Sequence, residues 1–224
     1  MAADEWLLIQ AEAGARPATL RFWESPAYFV ALGYTNRAAT EADIETCAAA
    51  NVPILRRVSG GGTVMQGPGC LNYALIYPIA PGETLNVAAT NKLVMETQRA
   101  AFETLLGERI VIAGHTDLAT GDLKFSGNAQ RRKARNFLFH GTILLDFDLE
   151  LVQHLLRPPS KEPEYRARRS HRDFIRNLPV SRDAVKAALC GAWGADEEGE
   201  AIATGALDEL VEERYGRDEW SLKF

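Results

Sequence analysis

The sequence predicts an α+β fold, and three observations carry that prediction. Segments that read as strands and segments that read as helices are mixed along the chain without strict alternation. The 224 residues carry 46% hydrophobic and 25% charged side chains, ordinary globular usage at a length that supports one sizeable core. The glycine run Gly60-Gly61-Gly62 is neither a G-x-G-x-x-G opening a helix nor a loop followed by G-K-[ST], so the dinucleotide and P-loop classes are excluded.

The elements follow in order. "LRFWE" (20–24) and "YFVALGY" (28–34) alternate apolar and aromatic residues as strands do, with Ser25-Pro26 as the break. "EADIETCAAAN" (41–51) reads as a helix ended by Asn51 and Pro53. "PILRRVS" (53–59) is a strand entering the glycines, and "LNYALIYPI" (71–79) is another, bounded by Pro78 and Pro81. The clearest helix runs from a cap at Asn86 through Val87, Leu93, Val94, Phe102 and Leu105 to Gly107. "RIVIAG" (109–114), "DLKFS" (122–126) and "GTILLDF" (141–147) read as strands, the last two flanking a basic loop that includes "QRRKARN" (130–136). "DLELVQHLL" (148–156) is a helix stopped by Pro158-Pro159, "SRDAVKAALCGAW" (181–193) a helix capped by Ser181, and "LDELVEERYG" (207–216) a last helix closed by Gly216. A single domain over 1–224 is expected, with no internal repeat.

Composition narrows the function. The formal net charge of −5 gives no support to nucleic-acid binding. Three cysteines, Cys47, Cys70 and Cys190, form neither a disulfide framework nor a zinc ribbon. The opening "MAADEWLLIQ" is not a signal peptide and no apolar run reaches membrane-spanning length, so the cytoplasm is the expected compartment.

Three stretches are candidates for chemistry. "RRVSGGGTV" places Arg56 and Arg57 before a turn whose backbone N–H groups would approach an anion. Neighbouring strand residues face opposite ways, so one of the two arginines would normally face a pocket; the plain alternative is a tight turn flanked by surface charge. In "DLKFSGNAQRR", Lys124 and Asp122 should share the face opposite Leu123 and Phe125, and Lys124 is either a solvated charge, the commoner case, or a phosphate ligand. His140 and Gly141 open an apolar strand, where a turn histidine is the plain reading, and Asp117 either caps a turn or holds a metal. Cys70, after Gly-Pro-Gly and near the arginines, is a small core residue or a thiolate nucleophile for acyl transfer.

Taken together, "RRVSGGGTV…GCLNY", "GHTDL…KFSGNAQRR" and "FHGTILLDFDLE" resemble the lipoate–protein ligase A family. "LRFWESPAYFVALGY", "FIRNL" and "ERYGRDEWSL" are similar to its flanking segments, so the resemblance spans most of the chain. It implies a biotin/lipoate ligase-like catalytic domain built on a mixed β-sheet flanked by helices. It further implies activation of lipoate or octanoate by ATP and Mg²⁺ to an acyl-adenylate. The acyl group then passes to a lysine of a lipoyl domain (2-oxoacid dehydrogenase E2) or of the glycine-cleavage H protein. By position, Lys124 matches the catalytic lysine of the family's K-x-S-G-x-A motif. Arg57, Gly60, Gly61, Gly62, Thr63 and Asn72 would surround the acyl-adenylate; Gly127, Asn128 and Ala129 would complete that wall. His140 and Gly141 would border it, and Asp117 would serve the nucleotide or magnesium.

The chain departs from the family at Gln66-Gly67, where His-Asp is frequent, and at Cys70, where Asn is frequent. Gly67-Pro68-Gly69 instead resembles octanoyltransferases, whose catalytic cysteine would fall just after "FIRNLP", where Val180 and Ser181 stand. Another cysteine-dependent branch places its nucleophile near "GHTDL", again without a match, so a thioester route would rest on Cys70. Many ligases of the family carry an accessory C-terminal domain; none is apparent in 1–224, which leaves that role to a separate subunit, to the chain alone, or to no adenylation at all. The alternatives to a ligase are therefore an acyltransferase using Cys70 and a non-catalytic lipoate-binding subunit. The basic segment 161–172 reads as a solvated loop, a docking surface for an acidic acceptor domain, or a lid.

Overall fold

Two sheets with helices packed against them organise the molecule in the computed structural model, which describes every residue except 81 and 83–85. The larger sheet has six strands in the order β1-β5-β9-β8-β7-β6: β1 (Thr19–Trp23), β5 (Cys70–Pro78), β9 (Asn136–Leu144), β8 (Leu123–Arg132), β7 (Asp117–Thr120) and β6 (Ile110–Ala113). All its neighbours are antiparallel. The smaller sheet, β3-β2-β4, joins β2 (Phe29–Leu32) in parallel to β3 (Ile54–Arg56) and antiparallel to β4 (Val64–Gln66). The mixed character expected of the sheet therefore resides in this small sheet alone.

One face of the large sheet packs Tyr73, Leu75, Phe137 and Phe139 against two helices, α4 (Val87–Leu106) and α7 (Arg182–Trp193). Both helices have the expected ends: Asn86 accepts from the Ala89 N–H, Ser181 accepts from the Ala184 N–H, and Gly107 and Gly194 close them in the left-handed region. The opposite face carries α1 (Ala2–Glu12), whose Leu7, Leu8 and Ala11 pack on Ala74, Ile76 and Leu138. A second cluster joins the small sheet to α3 (Ile44–Ala49) and α5 (Leu149–Leu155) through Val30, Leu32, Met65 and Phe147.

Four sequence expectations need correction. The helix expected over 41–51 is two pieces, α2 (Ala38–Glu41) and α3, because Ala42 leaves the helix to pair with Leu156 and Asp43 caps Thr46. The basic loop is mostly strand: Gly127 to Arg132 continue β8 and pair residue by residue with Thr142 to Phe137 of β9, leaving 133–135 as the turn. His140 is consequently mid-strand, not at a strand start. The last helix is a single turn, α8 (Asp208–Leu210), running into a π turn at Val211–Tyr215. The bounding role given to Pro81 lies outside the described residues. Two further short helices, α6 (His171–Phe174) and α9 (Asp218–Ser221), complete the chain.

Candidate active site

Strand pairing fixes which side chains share the face that α1 leaves partly uncovered. Thr142 lies directly opposite Asn72 on one side and Gly127 on the other, and His140 lies opposite Ala74 and Ala129. Opposed residues project to one face, so Asn72, His140, Thr142, Gly127 and Ala129 line a common wall. By plain alternation Lys124, three residues before Gly127, would point the other way. A β-bulge prevents this: Ala119 pairs with Lys124 while Leu118 pairs with Ser126, so Phe125 is the extra residue. Phe125 goes into the core, and Lys124 arrives on the same face as Gly127 and Asp117. The side chain passes so close that a Cβ on Gly127 would sit 2.7 Å from Lys124 Nζ.

This wall, the small sheet and the segment 159–175 enclose a cavity of about 1290 Å³. Arg57, Gly61, Gly62, Thr63, Asn72, Asp117 and Lys124 all contribute to its lining, as do Gly127, Ala129, His140 and Gly141. The Lys124 side chain is 21% exposed, and Nζ lies 2.8 Å from Asp117 Oδ1. Asn128 borders the cavity but its side chain belongs to the opposite face, where it donates to Thr116 O (2.7 Å), accepts from Tyr73 O–H (2.6 Å) and fills the space a Gly141 Cβ would take.

The two arginines have separate structural tasks. Arg56, fully buried, donates to the carbonyls of Gly33, Tyr34, Asn36 and Trp220, tying the small sheet to α9. Arg57 spreads its donors over Ala31 O (3.0 Å), Gly60 O (2.7 Å), Gly62 O (2.7 Å) and Ser59 Oγ (3.0 Å). Burial pulls its guanidinium down to about 10, which still leaves it charged at neutral pH. Turning those carbonyls toward Arg57 leaves the loop's outer side to the cavity. Gly61 sits at φ +89, a left-handed conformation that favours glycine.

Behind the loop runs a chain of hydrogen bonds that sequence reading missed. Ser59 Oγ lies 2.5 Å from His140 Nε2, His140 Nδ1 lies 3.1 Å from Asp4 Oδ2, and Arg21 donates to Asp4 Oδ1 at 3.0 Å. The ionised Asp4 carboxylate can only accept, so Nδ1–H donates to it; Nε2 of the neutral ring then accepts the Ser59 proton, while Ser59 Oγ accepts from Arg57 Nε–H. The order is that of a Ser–His–Asp triad, but Ser59 is fully buried and lies behind the loop, so it serves as a tether and not as a nucleophile. Burial pushes the Asp4 carboxyl up, yet the amino terminus, His140 and Arg21 outweigh it and hold it at about 2. One signal was readable: positions 4, 7, 8 and 11 share a helical face, and an aspartate among Leu7, Leu8 and Ala11 is buried for a reason.

The thiols lie elsewhere. Cys70 is completely buried in the cluster around the small sheet, and burial pushes its thiol up, away from the thiolate an acyl transfer needs. This corrects the reading of Cys70 as a nucleophile near the arginines, whose charges are spent on carbonyls. Asp117 does not fit a magnesium ion. Its Oδ1 faces the Lys124 ammonium, and its Oδ2 accepts from Tyr165 O–H at 2.8 Å. Among the described residues no three His, Cys, Asp or Glu gather to hold a metal.

Lys124 and the glycine loop line one cavity in this two-sheet α+β fold. The chain belongs to the lipoyl protein ligase A/B catalytic domain family, whose sequence profile matches residues 1–190. It is 28% identical to "Octanoyltransferase LipM" of Kyrpidia tusciae, over all of this chain and 93% of that protein. It is 25% identical to "Lipoate-protein ligase A subunit 1" of Thermoplasma acidophilum, over 99% of this chain and 90% of that one. A crystal structure of lipoate-protein ligase A bound with ATP superposes at a TM-score of 0.81, with 23% identity, covering 99% of this chain and 92% of that one. A bi-partite lipoate protein ligase from T. acidophilum, described with its E2 lipoyl domain, superposes at 0.80 with 21% identity, covering 98% and 91%. The fold and family are thereby fixed, and the chain is an enzyme of the lipoate ligase and octanoyltransferase group. No described helix is long and apolar enough to cross a membrane.

Proposed function

We propose that this chain is an ATP-dependent ligase that converts lipoate or octanoate to its acyl-adenylate and passes the acyl group to a lysine of a lipoyl domain or H protein. The observation that carries the reading is that Lys124, brought round by the bulge, shares one cavity with the glycine loop while Cys70 is buried outside it. In the first step the acyl carboxylate attacks the α-phosphorus of ATP and pyrophosphate leaves with its bonding electrons. Gly61, Gly62 and Thr63 offer an anion cradle, and Lys124 stabilises charge developing on the α-phosphate. In the second step the acceptor amine attacks the acyl carbonyl, AMP leaves, and the amine's proton passes to solvent. The same ammonium polarises the anhydride. Neither step requires Lys124 to act as a nucleophile.

On this reading Asn72, Gly127, Ala129, His140 and Gly141 shape the wall against the acyl-adenylate, and Asn128 supports it from behind. Residues 1–224 act as a catalytic domain in the cytoplasm, and a separate accessory chain is a candidate partner. The relative named as a subunit and the bi-partite ligase support that division. A volume of about 1290 Å³ exceeds the roughly 300–1,000 Å³ of an ordinary small-molecule site and accommodates an acyl chain and a nucleotide together.

The relative named as an octanoyltransferase supports a second reading, direct acyl transfer from a carrier protein. The two divide on one assay. Pure protein, lipoate and an apo lipoyl domain are incubated with and without ATP, alone and with added accessory protein, and the acceptor is weighed by mass spectrometry. The ligase reading requires acylated acceptor and AMP only with ATP; ATP-independent acylation from an octanoyl carrier protein would establish the transferase.

A further inference from the structure

We propose that Tyr165 is a positioning residue that acts on Lys124 through Asp117, so that the basic segment 161–172 sets the geometry of the ammonium. The proposal extends the ligase reading above, and one arm of its test is independent of that reading.

The Asp117 carboxylate is shared. Oδ1 meets Lys124 Nζ at 2.8 Å, and Oδ2 accepts from the Tyr165 hydroxyl at 2.8 Å. A carboxylate held at one oxygen cannot rotate freely, so the direction in which its other oxygen holds the ammonium is fixed as well. Burial and the neighbouring Asp117 push the phenol up, so Tyr165 remains a donor.

Tyr165 is itself braced. It lies in a 3₁₀ turn, Glu164–Arg166, with its ring 5.1 Å from that of Phe174. Arg166 and Arg169 stack over the same Phe174 ring at 4.9 and 5.3 Å. Arg169 also donates to Tyr165 O (2.9 Å), to Asp122 O (3.0 Å) and to Asp122 Oδ2 (2.8 Å), which fastens the turn to the residues just before Lys124. The Arg176 N–H donates to Lys124 O at 2.9 Å. The following turn holds Ala167 and Arg168 at φ 52 and 58, left-handed values that non-glycine residues rarely take.

Two of the arginines that read as a solvated or docking run, Arg166 and Arg169, are thus turned inward onto Phe174, and Arg169 reaches Asp122 beside Lys124. A surface loop gains nothing from a tyrosine hydroxyl aimed at a carboxylate that is already ion-paired. A device that fixes one ammonium beside a cavity does.

The test uses Tyr165→Phe, which deletes one oxygen and keeps the ring, with Asp117→Asn as the reference for a broken pair. The first readout is the ¹⁵N ammonium resonance of Lys124 in the resting protein, assigned by its absence in Lys124→Arg. It is expected in the wild type, where the ion pair slows exchange, and lost or broadened in both variants. The second is steady-state acylation with ATP, lipoate and apo lipoyl domain. In Tyr165→Phe, kcat is expected to fall about ten-fold or more with KM for lipoate within about two-fold, because misplacement acts on the transition state and not on binding. A purely structural role would move the melting temperature and leave the resonance and kcat intact. An unchanged resonance in folded Tyr165→Phe overturns the proposal, as does a lost resonance with unchanged kcat. If the wild type makes no AMP, the ligase reading fails, and the resonance alone then decides whether Tyr165 positions Lys124.

Discussion

Arg57 and Lys124 are cations lining one cavity, and they are used in opposite ways. Arg57 is 8% exposed, and its donors rest on carbonyls of its own loop and of Ala31. Lys124 is 21% exposed and held by the Asp117 carboxylate, which Tyr165 shares. The first charge shapes the chain; the second is placed where an arriving anion can take it over. A cation whose partners are neutral carbonyls of a required turn is part of the fold. A cation held by one carboxylate at a cavity wall is available for chemistry.

The sharpest way to break this contrast is to remove each charge. Lys124→Ala is expected to lower acylation by about 10³-fold, in the range seen when a transition-state charge stabiliser is lost, while the melting temperature stays near that of the wild type. Arg57→Ala should do the reverse: denaturant titration should show a loss of about 3 kcal/mol, since buried carbonyls and Ser59 Oγ lose charged donors. Equal stability losses in the two variants would erase the distinction.

The tether behind the loop supplies a pH signature. The folded Asp4 carboxyl sits at about 2 against 3.8 for the ordinary group. Its contribution, on the order of 2 kcal/mol, is fully present above that ordinary value and is lost as pH falls toward about 2. Asp4→Asn should flatten this part of the acid limb in urea titrations run across that window; an unchanged limb would show that the amino terminus, His140 and Arg21 do not hold the Asp4 carboxylate. Gly61→Ala should cost about 1–2 kcal/mol in the same titrations, because alanine is disfavoured at the left-handed φ of this turn. The smallest effect is expected at Cys70→Ser, which should leave ATP-dependent acylation within about two-fold while slightly lowering stability, as for an inert core thiol.

How far the site was legible follows from the same residues. The capped helices at Asn86 and Ser181 and the strand 71–79 were readable because their signals are local: a capping side chain, a period, a stop. The family resemblance linked Lys124 to the glycine loop. The bulge at Phe125 was not readable, since it depends on which residues of β7 lie opposite; alternation set Lys124 on the face opposite Phe125, as found, but could not bring it beside Gly127. The strand character of Gly127 to Arg132 was hidden by polar residues whose pairing partner lies in β9. Tyr165 carries no motif, and of Asp4 only its burial on a helical face was readable. Their roles arise from contacts 48 and 136 positions apart in the chain, which no window of sequence contains.

The most direct test of the central claim is mass spectrometry of the wild-type protein incubated with ATP and lipoate in the absence of acceptor. Under native conditions we expect one lipoyl-adenylate bound per chain, absent in Lys124→Ala and released on denaturation with the polypeptide mass unchanged. An acyl group that survives denaturation and maps to a cysteine would contradict the account.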